Sequence, residues 1–177
     1  MPNLTTHIHF ALLYYEWAQY DIYLPALIEG AVAPGLPPVQ ATGTNAHGLG
    51  ASGVAADSLI MSACSWSYYL GHLSHVFLDH YFDAYRSEIF LFGSPVKEER
   101  NRAVVMSEQI DIIHMKEYET ELQCLSEKYG DAFSAMYHAP SPPEENWMGI
   151  EGDYENLMAE ITEKFNQFLD ALNVTPP

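Results

Sequence analysis

Residues 71–83 read Gly-His-Leu-Ser-His-Val-Phe-Leu-Asp-His-Tyr-Phe-Asp, the densest run of metal-binding side chains in the chain. At about 100° per residue in a helix, His72, His75, Asp79 and Asp83 fall within roughly 80° of arc, with His80 at its edge. One helical face then offers imidazole nitrogens and carboxylate oxygens together, a donor set suited to a borderline divalent ion such as zinc. The i, i+4 spacing of His75 and Asp79 lets both reach one ion, and Gly71 removes a side chain that would crowd the approach. The same face also reads as histidines hydrogen-bonded in a core or exposed at its rim. Four such groups on one stripe favour the metal, because burying them without an ion or partners leaves unsatisfied polar atoms.

The elements around this run are helical in pattern. Thr5 or Thr6 can cap a first helix carrying His7, His9, Phe10, Ala11, Leu13, Tyr14 and Trp17, and Pro25 marks the start of a short second one. Residues 34–53 are rich in Gly, Pro and small residues and read as a long loop holding His47; loops of that length in compact domains are often functional. From about Val54 to Phe92 the pattern is a long aromatic helix, with a candidate break near Arg86 and apolar residues on more than one face. Ser94-Pro95 opens another helix to about Lys128, on which Asp111, His114, Glu117, Tyr118 and Glu121 share a face. That face reads either as a solvated acidic stripe or as the place from which His114 closes a metal site. Residues 138–149 form a Pro-rich connection. A last amphipathic helix places Tyr154, Leu157, Met158, Ile161, Phe165, Phe168, Leu169 and Leu172 on one apolar stripe. No alternating strand pattern or internal repeat is present, so the expected fold is all-α, a helical bundle around the long central aromatic helix, with residues 1–177 as a single domain.

Charge narrows the partners. The formal net charge of −17 excludes the clustered Lys and Arg that nucleic-acid binding needs, and anionic membranes repel such a surface. No Lys or Arg precedes Arg86, whereas six of the eight histidines do. An anionic group bound by the first half must therefore find its positive charge in a metal, a helix N-terminus or a protonated histidine. Most of the acid lies after residue 97, as a solvated face that favours solubility. No run of eighteen apolar residues and no signal-peptide pattern occurs, which leads to the expectation of a cytoplasmic protein without stable membrane association. Cys64 and Cys124, each among apolar neighbours in an expected helix, read as packed free thiols.

Helical bundles draw metal ligands from facing helices, so a site on His75 and Asp79 recruits His7, His47 or His114. Bound water then becomes hydroxide near neutral pH, and the ions stabilise charge on a phosphoryl or carbonyl oxygen. Other chemistries are poorly supported: Ser74 lacks a Gly-x-Ser-x-Gly elbow and would lie inside a helix, and no P-loop, dinucleotide fingerprint or Cys-x-x-Cys pair is present.

Four segments in order resemble the zinc-dependent phospholipase C family, which includes bacterial members and the N-terminal domain of glycosylphosphatidylinositol-specific phospholipase D. Thr6-His7-Ile8-His9-Phe10-Ala11 resembles its Thr-His-x-x-Phe-Ala signature, and Gly30-Ala31-Val32-Ala33-Pro34 its Gly-Ala-x-x-Pro-Asp segment. His47 stands where a loop histidine is expected, and Leu70–Asp79 resembles the Gly-x-x-Ser-His-x-x-x-Asp helix. The resemblance implies an all-helical fold with metal ligation by His7, His47, His75 and Asp79. The chain departs from the pattern at Gly35, where the family has aspartate, at Asp83, where it has histidine, and at Tyr118, where a His-x-x-x-Glu pair from His114 needs its carboxylate.

The candidate metal ligands are thus His7, His47, His75, Asp79, Asp83 and His114, with Asp79 and His72 as candidate catalytic groups and zinc, iron or manganese as the ion. The leading expectation is a metal-dependent hydrolase of a small or amphipathic phosphoester, using metal-bound hydroxide, with Tyr14, Tyr15, Trp66, Tyr68 and Tyr69 as an aromatic lining. A lyase, cyclase or tailoring enzyme of small-molecule biosynthesis on the same scaffold, or a non-catalytic module with structural or pH-sensing histidines, are the alternatives. Nothing in the sequence sets the oligomeric state.

Overall fold

A helix that is apolar or closely packed on every side belongs inside a bundle, and the first helix is of that kind. In α1, Leu4–Trp17, every residue from Thr5 to Leu12 is buried, polar Thr5, Thr6, His7 and His9 included. The computed structural model describes residues 4–35, 63–89, 110–129 and 150–174, and no strand occurs among them. The other helices are α2, Leu24–Val32, running into a 3-10 turn at Ala33–Gly35; α3, Ala63–Ile89; α4, residues 110–116; α5, Glu119–Tyr129; and α6, Ile150–Ala171. The chain is all-α.

α3 is the longest helix, yet it carries exposed Tyr68, His80 and Tyr81 and so has an outer face. The helix enclosed through its first turns is α1. Around it α1, α3 and α6 each contribute one phenylalanine to an aromatic triangle, Phe10, Phe77 and Phe165, with ring centroids 5.2 to 6.3 Å apart.

Two glycines let α2 and α3 cross with their backbones in contact. A Cβ on Gly30 would lie 2.0 Å from the Tyr68 carbonyl oxygen, and one on Gly71 would lie 1.9 Å from that of Leu27. Gly71 therefore clears the way for the neighbouring helix rather than for an ion. Pro25 opens α2 as expected, and the Tyr23 amide just before it donates to Ser67 Oγ of α3 at 2.9 Å.

Several boundaries differ from expectation. Thr5 and Thr6 lie inside α1 instead of capping it, because Thr6 spends its hydroxyl on a carboxylate from α4. The helical backbone of α3 passes Arg86 unbroken to Ile89. The helix expected to reach Lys128 is interrupted at residues 117–118, where the amides of Glu117 and Tyr118 bond three residues back, to His114 and Met115. Ser94-Pro95, the rest of the loop beyond Gly35 and the 138–149 connection lie outside the described residues. On α6, Tyr154, Leu157, Met158, Ile161, Phe165 and Leu169 are buried and Phe168 is partly so, whereas Leu172 is 45 % exposed. The helix has ended by then: Asn173 adopts φ 53°, its amide bonds to Asp170, and the Val174 amide reaches Leu169, a Schellman closure.

Candidate metal centre

The α2–α3 crossing fixes the first ligand. One turn after Gly71, His75 donates Nδ1–H to the carbonyl of Ala31, the residue after Gly30, at 2.6 Å. That bond puts the ring proton on Nδ1, leaves Nε2 as the atom turned toward Asp79, and holds the ring, as outer partners of metal-bound histidines do. Nε2 of His75 lies 3.3 Å from Asp79 Oδ2, one turn further along α3. From α1, His7 lays its ring flat on that of His75, with centroids 3.7 Å apart and planes 10° from parallel, and brings its Nε2 to 3.4 Å from Asp79 Oδ1.

His7, His75 and Asp79 thus place one donor atom each within 4.8 Å of one another. Both histidines are 2 % exposed, while the Asp79 side chain keeps 19 %, so the group opens to solvent on the carboxylate side. The two imidazoles are not equivalent. His75 is fixed through Nδ1, whereas His7 Nδ1 is buried without a hydrogen-bond partner among the described residues. Two imidazoles and a carboxylate, partly open, fit a divalent zinc or iron with a position left for water or substrate.

A second carboxylate meets the opposite flank of α1. His9 lies about 200° around the helix from His7, and Thr6 lies on the His9 side. Asp111 of α4, fully buried, accepts from Thr6 Oγ1 at 2.6 Å, from His9 Nδ1 at 2.6 Å and from the Tyr154 hydroxyl of α6 at 2.5 Å. One carboxylate so ties three helices together, and three donors compensate its burial. His114, one turn after Asp111, packs against His9 at 4.5 Å between centroids, and its Nε2 lies 3.4 Å from Glu16 Oε1 without forming a hydrogen bond. Burial, and then the neighbouring His9, push the His114 ring below its ordinary pKa.

Of the expected ligands, the structure brings His7, His75 and Asp79 together. His114 joins His9 rather than this group, because α4 packs on the flank of α1 from which His7 points away. His72 is half-buried on α3. His47 and the side chains of Asp83, Cys64 and Cys124 lie outside the described residues. The expected aromatic lining is dispersed: Tyr14 is a core residue edge-on to Phe165, Tyr15 stands against Tyr118, Trp66 tilts against Tyr69, and Tyr68 is exposed. The acidic-stripe reading of the α4–α5 segment holds for Glu117 and Glu121, which are exposed, and not for Asp111.

The partnership of Asp111 with Thr6, His9 and Tyr154 has only one sequence cue, the i, i+3 spacing that puts polar Thr6 and His9 on one side of the helix. Among the described residues, no helix is long and apolar enough to cross a membrane. Compared with known proteins, the chain matches no family model, no curated protein and no solved structure.

Proposed function

We propose that the protein is a metal-dependent hydrolase of a small or amphipathic phosphoester, a divergent relative of the zinc-dependent phospholipases C, acting at His7, His75 and Asp79. The observation that carries this reading is the convergence of three donor atoms from α1 and α3 within 4.8 Å, two on buried rings and one on a partly open carboxylate. His75, locked by Ala31, is the fixed ligand; His7 completes the pair; Asp79 bridges both rings and faces the opening. A divalent ion held there supplies a nucleophile from water at neutral pH and positive charge for the phosphoryl oxygens. The first 85 residues contain no Lys or Arg to do the latter.

The test pairs metal analysis with an assay. The expected result is stoichiometric zinc or manganese and hydrolysis of at least one member of a panel of phosphomono- and diesters; metal bound with every ester left intact would refute the hydrolase. The donor set also supports a second reading, since two histidines and one carboxylate are the ligands of non-haem iron enzymes. Iron in the purified protein would favour a lyase, cyclase or tailoring reaction of small-molecule biosynthesis over phosphoester hydrolysis.

A further inference from the structure

The two imidazoles of the metal centre are held in different ways. His75 is fixed on its own ring, by the bond from Nδ1 to the Ala31 carbonyl. His7 has no such bond: among the described residues its buried Nδ1 meets no partner, and its ring is placed by lying on His75 and facing Asp79. Where His7 points therefore depends on how α1 is turned about its axis. We propose that Asp111 is the positioning residue for His7, setting the rotation of α1 through Thr6 and His9 from the other flank of the helix. The inference rests on the reading of His7, His75 and Asp79 as a metal centre.

Thr6 and His9 bracket His7 in the chain, and at about 100° per residue they lie about 60° apart, on a flank centred about 130° from His7. Asp111 binds Thr6 Oγ1 through Oδ2 and His9 Nδ1 through Oδ1, both at 2.6 Å. Two short bonds to the two oxygens of one carboxylate fix an angle as well as a distance. The apolar contacts of α1, such as Phe10 on Phe77 and Phe165, are non-directional and fix no angle.

A turn of α1 by about 20° moves a side-chain tip, about 5–6 Å from the axis, by about 2 Å. On the Asp111 side that takes both bonds out of hydrogen-bond geometry. On the other side it carries the His7 ring across the face of His75, which lies 3.7 Å away with planes 10° from parallel. One motion breaks both arrangements, so what resists it on one flank protects the other. Asp111 is itself firmly placed, being fully buried and held from a third direction by the Tyr154 hydroxyl of α6. Giving up these donors would leave a buried carboxylate uncompensated.

Two matched variants separate positioning from general support. Thr6→Val and Tyr154→Phe each delete one hydroxyl bonded to Asp111, but only the first frees α1. In the metal-free chain the His7 ring protons should resonate upfield, because they lie over the His75 ring, and NMR of histidine-labelled protein reads that shift. Cobalt titration, followed by visible absorption, reads the site with metal. The expected result is loss of the upfield shift and at least about tenfold weaker cobalt binding in Thr6→Val and in Asp111→Leu, with both readouts close to the parent in Tyr154→Phe. Leu169→Ala, a core truncation about four turns along α6 from Tyr154, should lower stability and move neither readout. Should Asp111→Leu fail to fold, Thr6→Val decides. The proposal is overturned if Thr6→Val keeps either the shift or the affinity, if Tyr154→Phe or Leu169→Ala loses as much, or if the parent shows no shift. A parent that shows the shift but takes up no cobalt would instead refute the metal centre, and the shift alone would then decide the role of Asp111.

Discussion

Gly71→Ala sets two physical effects of opposite sign against each other, and the distances decide between them. In a helix interior alanine is favoured over glycine by roughly 1 kcal/mol, so intrinsic propensity predicts a more stable protein. The new Cβ, however, would lie 1.9 Å from the Leu27 carbonyl oxygen, about 1.5 Å short of the 3.4 Å at which ordinary contact begins. The obstructing atom is backbone, with no rotamer to change, so α2 and α3 must part. Overpacking of this kind costs about 1–3 kcal/mol, and with a rigid helix as the obstacle the upper end applies, leaving a net loss of about 2 kcal/mol after the propensity gain. Parting the helices by that distance also lengthens the 2.6 Å bond from His75 Nδ1 to Ala31 beyond hydrogen-bond range. The His75 ring is then released, and metal affinity should fall by about 10–100-fold, as when an outer partner of a ligating histidine is lost. Equilibrium urea denaturation followed by tryptophan fluorescence gives the first quantity, and competitive zinc titration the second. Gly30→Ala should behave alike, and the double variant should lose less than the two single losses together, because both contacts belong to one crossing. A Gly71→Ala protein more stable than the parent by about 1 kcal/mol would show that the helices do not touch, and the account of how His75 is held would fall with it.

Other perturbations probe the remaining links. Asp79→Asn, which keeps the shape and removes the charge facing both Nε2 atoms, should reduce zinc affinity at least about 100-fold; zinc titration giving unchanged affinity would remove Asp79 from the site. Asp111→Ala strands the buried donors of Thr6, His9 and Tyr154 and should destabilise the fold by about 3–5 kcal/mol in urea melts, whereas a loss below about 1 kcal/mol would mean that those groups find other partners. Phe165→Ala, in the aromatic triangle, should lose about 3–5 kcal/mol, while Leu172→Ala beyond the end of α6 should stay within about 0.5 kcal/mol. The fourth concerns pH. Burial holds the folded His114 below its ordinary 6.5, so the unfolded chain binds the proton more readily; its contribution is intact above 6.5 and declines as pH falls from there toward the folded value. His114→Gln should flatten that part of the stability-against-pH curve, and equal slopes for the two proteins would refute the shift.

What was legible in the sequence was what depends on neighbours along the chain. The α6 stripe could be read because its positions repeat at helical spacing, and it failed only at Leu172, where an Asn in the left-handed region turns the chain out of the helix. His75 and Asp79 could be paired for the same reason, by their i, i+4 spacing. The first turns of α1 resist such reading because a helical stretch buried on all sides has no period, and a threonine that caps a helix is indistinguishable in sequence from one whose hydroxyl is spent elsewhere. What settles Thr6 is Asp111, 105 residues away. Composition alone likewise predicts a central place for the long aromatic helix, whereas aromatic rings serve an exposed face of α3 as well as the core. These gaps share one physical origin. α1 carries polar groups on two flanks that it cannot satisfy alone, and unpaired burial of each would cost about 1–3 kcal/mol. It can occupy the interior only when α3 presents Asp79 to one flank and α4 presents Asp111 to the other. Because His7 and His9 sit about 200° apart, the Asp79 group and the Asp111 group share a helix but no carboxylate, and replacing Asp79 should leave the bonds of Asp111 intact.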